Sequence, residues 1–225
     1  MTTPGPAVVF DLDGVLVDTA QFHLSAWRRI AGELGFTFDA RIGESLKGVG
    51  REAALRILLG VGGLDFTAEA VTETAARKNR YYKELLHGLD EEALLPGAAD
   101  SLRWLRAHDV PVALASASRN ARTILDSTGI TPLFDAIVDG TSVTAAKPDP
   151  TVFLVAAEQL GADPATCIVF EDAIAGVDGA LRAGCRVVGV GDPAVLTAAD
   201  TVVPSLAQVA WPHLLGMAVS TGPTR

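Results

Sequence analysis

The amino-acid sequence predicts an α/β protein: a doubly wound parallel sheet with an all-helical domain inserted after its first strand. From residue 96 onward, helical patterns alternate with short strands that are almost entirely apolar. This alternation is typical of a parallel sheet that helices cover on both faces. Residues 8–10 have the same apolar character, whereas residues 20–90 show helical patterns only. We therefore expect an α/β core from residues 1–19 and 91–225 and a helical domain from residues 20–90.

The inserted segment contains three predicted helices. The first covers residues 20–34, where apolar and aromatic side chains recur at helical spacing. A second helix fits residues 51–59 and is expected to end at the glycines that begin with Gly60. The third begins after Thr67, a residue type that favours the N-cap position, and runs to about Leu86.

The core is expected to alternate helices with strands, because apolar runs of strand length are separated by amphipathic stretches that end at glycine. In chain order, we predict a helix over 98–108, a strand over 112–115, a helix over 121–127, a strand over 136–138, a helix over 150–160, a strand over 167–170, a helix over 174–183, a strand over 186–190 and a short strand at 202–203.

The composition argues against several classes of partner. The 225 residues carry a formal net charge of −9, whereas nucleic-acid binding depends on clustered Lys and Arg, so we expect no nucleic-acid partner. No apolar run approaches the length that spans a membrane, and the first residues do not resemble a signal peptide. These features predict a cytoplasmic protein without membrane contact. The lack of an obvious apolar interface helix predicts a monomer.

Charged and hydroxyl side chains are concentrated at the carboxyl ends of the predicted strands, where ligands bind in open parallel sheets. The first strand is followed by two aspartates around one leucine and then by Gly14, which permits the sharp turn that would aim both carboxylates at one point. An isolated pair of this kind is also compatible with a solvated turn, but its recurrence at other strand ends favours one polar site. The candidate residues are Asp11, Asp13, Ser116, Ser118, Lys147, Glu171 and Asp172.

Four stretches among these residues resemble the signature motifs of the haloacid-dehalogenase-like (HAD) phosphotransferases. They are Asp11-Leu12-Asp13-Gly14, Ser116, Lys147-Pro148 and Glu171-Asp172. The resemblance implies a HAD-like Rossmannoid core, and it implies that residues 20–90 are the helical cap domain of that family. Two further stretches in the cap resemble a branch of sugar-phosphate mutases: Leu46-Lys47-Gly48-Val49-Gly50-Arg51 and Arg77-Lys78-Asn79.

The resemblance implies a phosphomutase that interconverts β-D-glucose 1-phosphate and glucose 6-phosphate, so the expected partner is a small-molecule sugar phosphate. The reaction would pass through an aspartyl-phosphate enzyme and a glucose 1,6-bisphosphate intermediate. A Mg²⁺-dependent sugar-phosphate phosphatase of the same superfamily is an alternative, since it needs the same core residues but no second phosphate site. A non-catalytic sugar-phosphate sensor is another alternative, although it would have no need of Asp13.

The catalytic residues are expected to be Asp11, Asp13, Ser116 and Lys147. As the first carboxylate after the strand, Asp11 is assigned as the nucleophile on phosphorus, and Asp13 as the general acid and base. Like charges at about 4 Å repel by roughly 4 kcal/mol at an effective dielectric constant of 20, so Asp11 needs a cation to approach a phosphate. Oxygen ligands beside a phosphate point to Mg²⁺. The expected metal ligands are Asp11, the backbone carbonyl of Asp13, Asp172 and, in or next to the shell, Glu171.

Two phosphate sites are expected. The Ser116 hydroxyl and the Ala117 N–H would donate to the oxygens of the transferring phosphoryl group, and Lys147 would add positive charge. A second set of residues resembles the family's clamp for the phosphate that is not transferred, and Arg suits this task through its planar pair of donors. The members of this clamp are Arg51, Ser118, Arg119 and Asn120.

Further cap residues are expected near the sugar. For His23 a core or hinge histidine is an alternative, for Lys78 a solvated helical lysine, and for Trp27 packing within the cap. Gly50 and Ala54 stand where the mutase pattern usually has serines, so two hydroxyl groups that would help to position the sugar are missing. The expected substrate-binding residues are Asp13, His23, Trp27, Gly48, Val49, Arg51, Lys78, Ser116, Ala117, Ser118, Arg119 and Asn120.

Overall fold

The computed structural model of the chain describes residues 5–46, 49–143 and 145–217. Its strands form a six-stranded sheet in the order β3-β2-β1-β4-β5-β6, and all neighbouring strands are parallel. The strands are β1 (Ala7–Phe10), β2 (Val112–Ala115), β3 (Ala136–Val138), β4 (Cys167–Glu171), β5 (Arg186–Val190) and β6 (Thr201–Val203).

Helices precede and follow the strands, and the longest ones lie in the segment inserted after β1. Among the described residues, no helix combines the length and the apolar character that crossing a membrane requires. The helices are α1 (Ala20–Glu33), α2 (Ala40–Ser45), α3 (Arg51–Val61), α4 (Ala68–Leu86), α5 (Ala98–Ala107), α6 (Ala121–Ser127), α7 (Thr151–Gln159), α8 (Ile174–Arg182) and α9 (Trp211–Leu214).

The central strand β1 contributes to two apolar clusters, because successive side chains of a strand point to opposite faces of the sheet. Val8 and Phe10 belong to one cluster, and Ala7 and Val9 belong to the other. All four side chains are completely buried. Since β1 pairs with β2 on one side and β4 on the other, the chain order reverses around it. The carboxyl end of β1 therefore lies at the position where sheets of this kind bind ligands.

The inserted helices α1 to α4 pack around an apolar cluster of their own, which we call the cap cluster. α4 packs along α1 and also against α3. Because this cluster is distinct from the two clusters of the sheet, the segment has its own core, as a helical cap requires. The buried members of the cap cluster are Trp27, Ile30, Ala31, Ile42, Leu46, Ala54, Leu55, Leu58, Leu59, Val71 and Ala75.

Two connectors join the cap to the core, and they are hydrogen-bonded to each other. The Asp18 N–H donates to the Ala93 carbonyl over 3.1 Å, and the Leu95 N–H donates to the Leu16 carbonyl over 2.9 Å. Between these bonds, Val17 forms an antiparallel bridge with Leu94. The chain therefore leaves the core and returns to it at the same place.

The predicted architecture is confirmed, and the predicted helices and strands lie within one or two residues of their predicted bounds. The prediction that the glycines from Gly60 onward end the second helix at residue 59 was wrong, because α3 includes Gly60 and continues to Val61. The Gly62 N–H donates to the Leu58 carbonyl over 3.1 Å and completes a further turn, and Gly63, with a φ of +64°, then ends the helix. Two short helices, α2 and α9, were not predicted.

We expect Leu58→Ala to lower the free energy of unfolding by about 2–5 kcal/mol, because truncation of this completely buried side chain leaves a cavity in the cap cluster. Ile57→Ala is the matched control, since Ile57 is 37% exposed. Urea unfolding of both variants measures the difference. Equal losses would contradict the presence of a packed core within the cap.

Candidate active site

The carboxyl ends of β1 and β4 bring three carboxylates together. The Asp11 N–H donates to the Phe170 carbonyl over 3.0 Å, which extends the pairing of the two strands. Asp11, Glu171 and Asp172 each place one carboxylate oxygen within 4.8 Å of the other two. Gly14 turns the chain with a φ of +85°, and a Cβ there would overlap the Asp172 carboxylate. We call Asp11, Glu171 and Asp172 the acidic cluster.

Lys147 reaches the acidic cluster from the loop after β3. Its Nζ lies 2.5 Å from Asp11 Oδ1, contacts Glu171 Oε1 and donates to the Ala115 carbonyl over 3.1 Å. These acceptors satisfy the three donors of a buried ammonium group. Burial lowers the pKa of Lys147, but Asp11 and Glu171 outweigh burial and raise it. Lys147 therefore stays charged and joins the ends of β1, β2 and β4.

Glu171 is oriented toward Lys147 by contacts on both of its oxygens. Oε1 accepts from Lys147, and Oε2 accepts from the Ala173 N–H over 3.0 Å. The carboxylate also lies against Gly176 of α8, where a Cβ would overlap it. Among the acidic cluster, Glu171 is thus the residue best suited to positioning Lys147.

The acidic cluster carries a surplus of negative charge. Burial raises the pKa of Asp11 well above its usual range; Lys147 lowers this pKa, whereas Glu171, Asp172 and Asp13 raise it further. Carboxylate oxygens in such a set are the ligands that hard divalent cations prefer, and a bound cation would offset the repulsion among them. The residues present therefore fit Mg²⁺.

Asp13 is half-buried between the acidic cluster and the cap. The Thr19 hydroxyl donates to Asp13 Oδ1. Burial raises the pKa of Asp13 to about 6, and this exceeds the lowering effects of Lys147 and Lys78. A carboxyl group with a pKa close to neutral pH is suited to both donating and accepting a proton.

Lys78 extends from α4 into the same region. Its Nζ lies 2.7 Å from His23 Nδ1 and 4.8 Å from the centre of the Trp27 ring. Burial lowers the pKa of Lys78 to about 7 and Arg51 lowers it as well, whereas Asp13 opposes this shift. Because Lys78 is only 2% exposed, its interpretation as a solvated helical lysine is wrong.

His23 and Trp27, the two aromatic residues predicted near the sugar, both lie on α1; His23 is half-buried and Trp27 is buried. Burial lowers the pKa of His23 well below its usual range, and Lys78 and Arg51 add to this effect. A neutral ring with Nδ1 unprotonated can accept a hydrogen bond from Lys78. Trp27 packs in the cap cluster, as its alternative interpretation predicted, while one face of its ring meets the Lys78 ammonium.

In the loop after β2, two serine hydroxyls each accept a hydrogen bond from the backbone N–H two residues further on. The Ser118 N–H donates to the buried Ser116 hydroxyl over 3.0 Å, and the Asn120 N–H donates to the Ser118 hydroxyl over 3.2 Å. The Ser116 N–H donates to the Val138 carbonyl and ties the loop to β3. Ala117 lies exposed in this loop. The loop therefore holds the predicted phosphate-binding residues at the end of β2, beside the Lys147 contact with Ala115.

Arg51 of the cap and Arg119 of the core are two cations whose charges interact with each other. Arg51 is the first residue of α3, and Arg119 is exposed in the loop after β2. Burial lowers the pKa of Arg51, and the guanidinium of Arg119 is the next largest cause. Two neighbouring cations of this kind attract an anion such as a phosphate.

The remaining predicted site residues surround this cleft with less direct contacts. Val49 is half-buried and packs against the cap cluster. Gly48 lies outside the described residues. A Cβ at Gly50 would stand 3.7 Å from the Ala146 side chain, one residue before Lys147, so the start of α3 is close to the core loop.

Tyr82 had no role predicted from the sequence, and Asn79 entered only as part of the mutase-like stretch Arg77-Lys78-Asn79, without a role of its own. Tyr82 is completely buried, and its ring centre lies 4.0 Å from that of His23. Its position four residues after Lys78 on α4 places both on one helix face, which is the signal that could have indicated it. Asn79 contacts Asn120 across the cleft, and no local pattern indicates this contact.

The sequence matches the haloacid dehalogenase-like hydrolase family over residues 6–184. Together with the parallel sheet, the inserted helices and the strand-end carboxylates, this match defines the class of the protein. The chain belongs to the haloacid dehalogenase-like hydrolase family.

Relatives within the family include mutases and phosphatases. The β-phosphoglucomutase of Bacillus subtilis (strain 168) is 44% identical over 199 residues, which cover 88% of each chain. The crystal structure of β-phosphoglucomutase from Clostridium difficile has a TM-score of 0.90 at 36% identity and covers 95% of this chain and 96% of that chain. The fructose-1-phosphate phosphatase of Escherichia coli (strain K12) is 31% identical, covering 81% of this chain and 95% of its own length. The comparisons support an enzyme of the β-phosphoglucomutase type.

We expect Asp13→Asn to stabilise the metal-free protein at pH 8 by at most about 3 kcal/mol. The pKa of Asp13 rises from 3.8 to about 6 on folding, so ionised Asp13 opposes folding above pH 6, and this penalty disappears as the pH falls toward 4. The gain from the substitution should therefore shrink over the same interval.

Urea unfolding between pH 4 and 8 measures this dependence. Asp18→Asn is the matched control, because Asp18 is exposed in the same connector. A stability difference between Asp13→Asn and the wild type that stays constant across this pH range would contradict the assignment.

Proposed function

We propose that the protein is a phosphomutase that interconverts β-D-glucose 1-phosphate and glucose 6-phosphate through an aspartyl-phosphate enzyme and glucose 1,6-bisphosphate. The observation that carries this proposal is the Arg51–Arg119 pair. The pair would supply an anion site in addition to the acidic cluster, and a mutase needs such a site because its intermediate carries two phosphates. The B. subtilis and C. difficile relatives named β-phosphoglucomutase support the same reaction.

In the proposed reaction, one carboxylate oxygen of Asp11 attacks phosphorus, and the bond between phosphorus and the sugar oxygen breaks. Asp13 gives its proton to that leaving oxygen. In the reverse sense, a sugar hydroxyl attacks the phosphorus of phospho-Asp11 while Asp13 takes the hydroxyl proton. The cycle begins with the second of these steps, in which the 6-hydroxyl of β-glucose 1-phosphate takes the phosphoryl group of phospho-Asp11 and forms glucose 1,6-bisphosphate. The bisphosphate rebinds with its phosphates exchanged, and Asp11 then attacks the phosphorus on the C1 oxygen, which releases glucose 6-phosphate and restores phospho-Asp11. The pKa of about 6 at Asp13 supports this double use.

The core residues around Asp11 would stabilise the transferring group. Asp11, the Asp13 backbone carbonyl and Asp172 would hold Mg²⁺, and Glu171 would lie in or next to its shell while it orients Lys147. When bound, the ion supplies positive charge that offsets the repulsion between carboxylates and phosphate. The Lys147 ammonium would add positive charge beside the transferring phosphoryl group, and the Ser116 hydroxyl and the Ala117 N–H would donate to its oxygens. The Lys147–Asp11 distance of 2.5 Å supports this arrangement.

The cap would bind the sugar and exclude water, so that a hydroxyl group rather than water takes the phosphoryl group. We propose residues 20–90 as the cap domain and residues 1–19 and 91–225 as the core domain. Arg51 with Ser118, Arg119 and Asn120 would bind the second phosphate. His23, Trp27, Gly48, Val49 and Lys78 would face the sugar. We propose further that the protein works as a monomer in the cytoplasm.

A sugar-phosphate phosphatase is the second candidate function. The fructose-1-phosphate phosphatase of E. coli is similar to this chain over most of its length, and Gly50 and Ala54 lack hydroxyls that would help to position a sugar. This candidate needs the acidic cluster but not the Arg51–Arg119 pair. A sensor without activity is less well supported, since it has no use for a carboxyl with the pKa of Asp13.

The test is to incubate the protein with Mg²⁺, β-glucose 1-phosphate and a trace of glucose 1,6-bisphosphate, and to follow phosphorus species by NMR. We expect glucose 6-phosphate as the main product, and we expect Asp11→Asn to form none. Mainly inorganic phosphate would instead establish the phosphatase, and no turnover would support the sensor.

We expect Arg51→Ala to lower the rate of isomerisation by about 100-fold, because an Arg contact with phosphate is a strong charge-assisted interaction. Slow hydrolysis should remain, since the acidic cluster is unchanged. The matched control is Arg56→Ala, because Arg56 lies on the same helix and is exposed. Unchanged isomerisation in Arg51→Ala would contradict the clamp.

A further inference from the structure

The two asparagines of the sequence meet across the cleft between cap and core. Asn79 lies on α4 of the cap, and Asn120 directly precedes α6 of the core. The Asn120 Nδ2 donates to Asn79 Oδ1 over 3.0 Å. Because the two residues are 41 positions apart, this bond exists only when the cap is docked on the core.

We propose that Asn79 is a positioning residue that fixes the Asn120 amide for the second phosphate and links the binding of that phosphate to the docked cap. The inference rests on the proposed function, which assigns Asn120 to the phosphate clamp. It adds a cap residue that acts through Asn120 and not by touching the substrate.

The chemistry of the amide makes its orientation matter. An asparagine side chain presents two N–H donors at one end and a carbonyl acceptor at the other. A phosphate binds the N–H end and is repelled by the carbonyl. Since Asn79 Oδ1 accepts from one N–H of Asn120, the amide loses this bond if it turns over. Its second N–H remains for an anion. Asn120 is only 5% exposed, so a donor without an acceptor would be costly.

The backbone of Asn120 is held independently of its side chain. Its N–H donates to the Ser118 hydroxyl, and the Ser118 N–H donates to the Ser116 hydroxyl. These two hydrogen bonds fix the backbone of Asn120 but leave its side-chain amide free to rotate. Asn79 supplies the remaining constraint, and it does so from the opposite side of the cleft.

The asparagine pair also differs in charge from the arginine pair beside it. Burial is the largest cause of the lowered pKa of Arg51, and the like charge of Arg119 lowers it further, so the two guanidinium groups repel each other in the absence of an anion. The Asn79–Asn120 bond is a neutral contact across the same cleft, so it forms without an anion. It therefore opposes the arginine repulsion in the empty site and orients a donor for the phosphate that removes this repulsion.

Steady-state kinetics of Asn79→Ala tests the inference with two substrates. For β-glucose 1-phosphate, with glucose 1,6-bisphosphate present, we expect KM to rise about five- to tenfold, the equivalent of one hydrogen bond, while kcat changes less than about twofold. Hydrolysis of acetyl phosphate, which has no second phosphate, should be unchanged. Equal losses on both substrates, or an unchanged KM, would overturn the inference.

A double-variant cycle separates action through Asn120 from a general structural effect. If Asn79 acts through Asn120, KM of the double variant Asn79→Ala with Asn120→Ala should match that of Asn120→Ala alone. Multiplied losses would overturn the inference. Arg80→Ala is the matched control, because Arg80 is the exposed neighbour of Asn79 on α4. Asn79→Ser, whose shorter side chain does not reach Asn120, should reproduce the alanine result and replaces it if the alanine variant fails to fold.

The wild-type protein distinguishes failure of this inference from failure of the proposed function. If the wild type forms no glucose 6-phosphate, the mutase proposal fails. Calorimetric titration with glucose 1,6-bisphosphate and with inorganic phosphate then tests Asn79 separately. Weaker binding of the bisphosphate alone in Asn79→Ala supports the positioning role, and identical affinities for wild type and variant would overturn it.

Discussion

The site depends on the buried ammonium of Lys147, which lies between the carboxylates of Asp11 and Glu171. Removing such charges from water costs several kcal/mol for each ion, so the arrangement is stable only if the geometry is close and the remaining donors and acceptors are satisfied. The contact with the Ala115 carbonyl and the bond from Ala173 to Glu171 meet this requirement. Strand order follows the same constraint, because β1 has to lie between the strands that supply the other partners.

Much of the fold could be predicted because strand and helix periods are local properties of the sequence. The strands that flank β1 are apolar on both faces, and their polar residues stand where the strands end. The helix α3 shows the limit of this reasoning. A glycine inside a helix costs about 1 kcal/mol, but burial of Leu58 and Leu59 in the cap cluster outweighs the cost of Gly60. The short helix α2 depends on a single cap, in which Asp39 accepts from the Ile42 N–H.

The candidate site also contains some residues that could be placed from the sequence and others that could not. Residues at strand ends could be placed together from sequence, because parallel strands share one carboxyl edge. Contacts between cap and core could not, since they depend on how two separately packed units meet. The bond between Asn79 and Asn120 belongs to this second group. The burial of Lys78 beside His23 and the ring of Tyr82 was equally out of reach, because it depends on how α1 and α4 pack against each other within the cap. A helical lysine of this kind is ordinarily solvated, and here the side chains of His23 and Trp27 on α1 lie against its ammonium group.

The paired connectors between cap and core have a mechanical consequence. A single flexible linker would let the cap adopt many orientations relative to the core. Docking of the cap would then cost the conformational entropy of those orientations. Here Val17 and Leu94 bridge two segments that hold each other by backbone bonds on either side. Such a pair of connectors can bend and twist, but it keeps the cap close to the core. The helices that carry Arg51 and Lys78 therefore move relative to the sheet mainly by bending or twisting of these paired connectors.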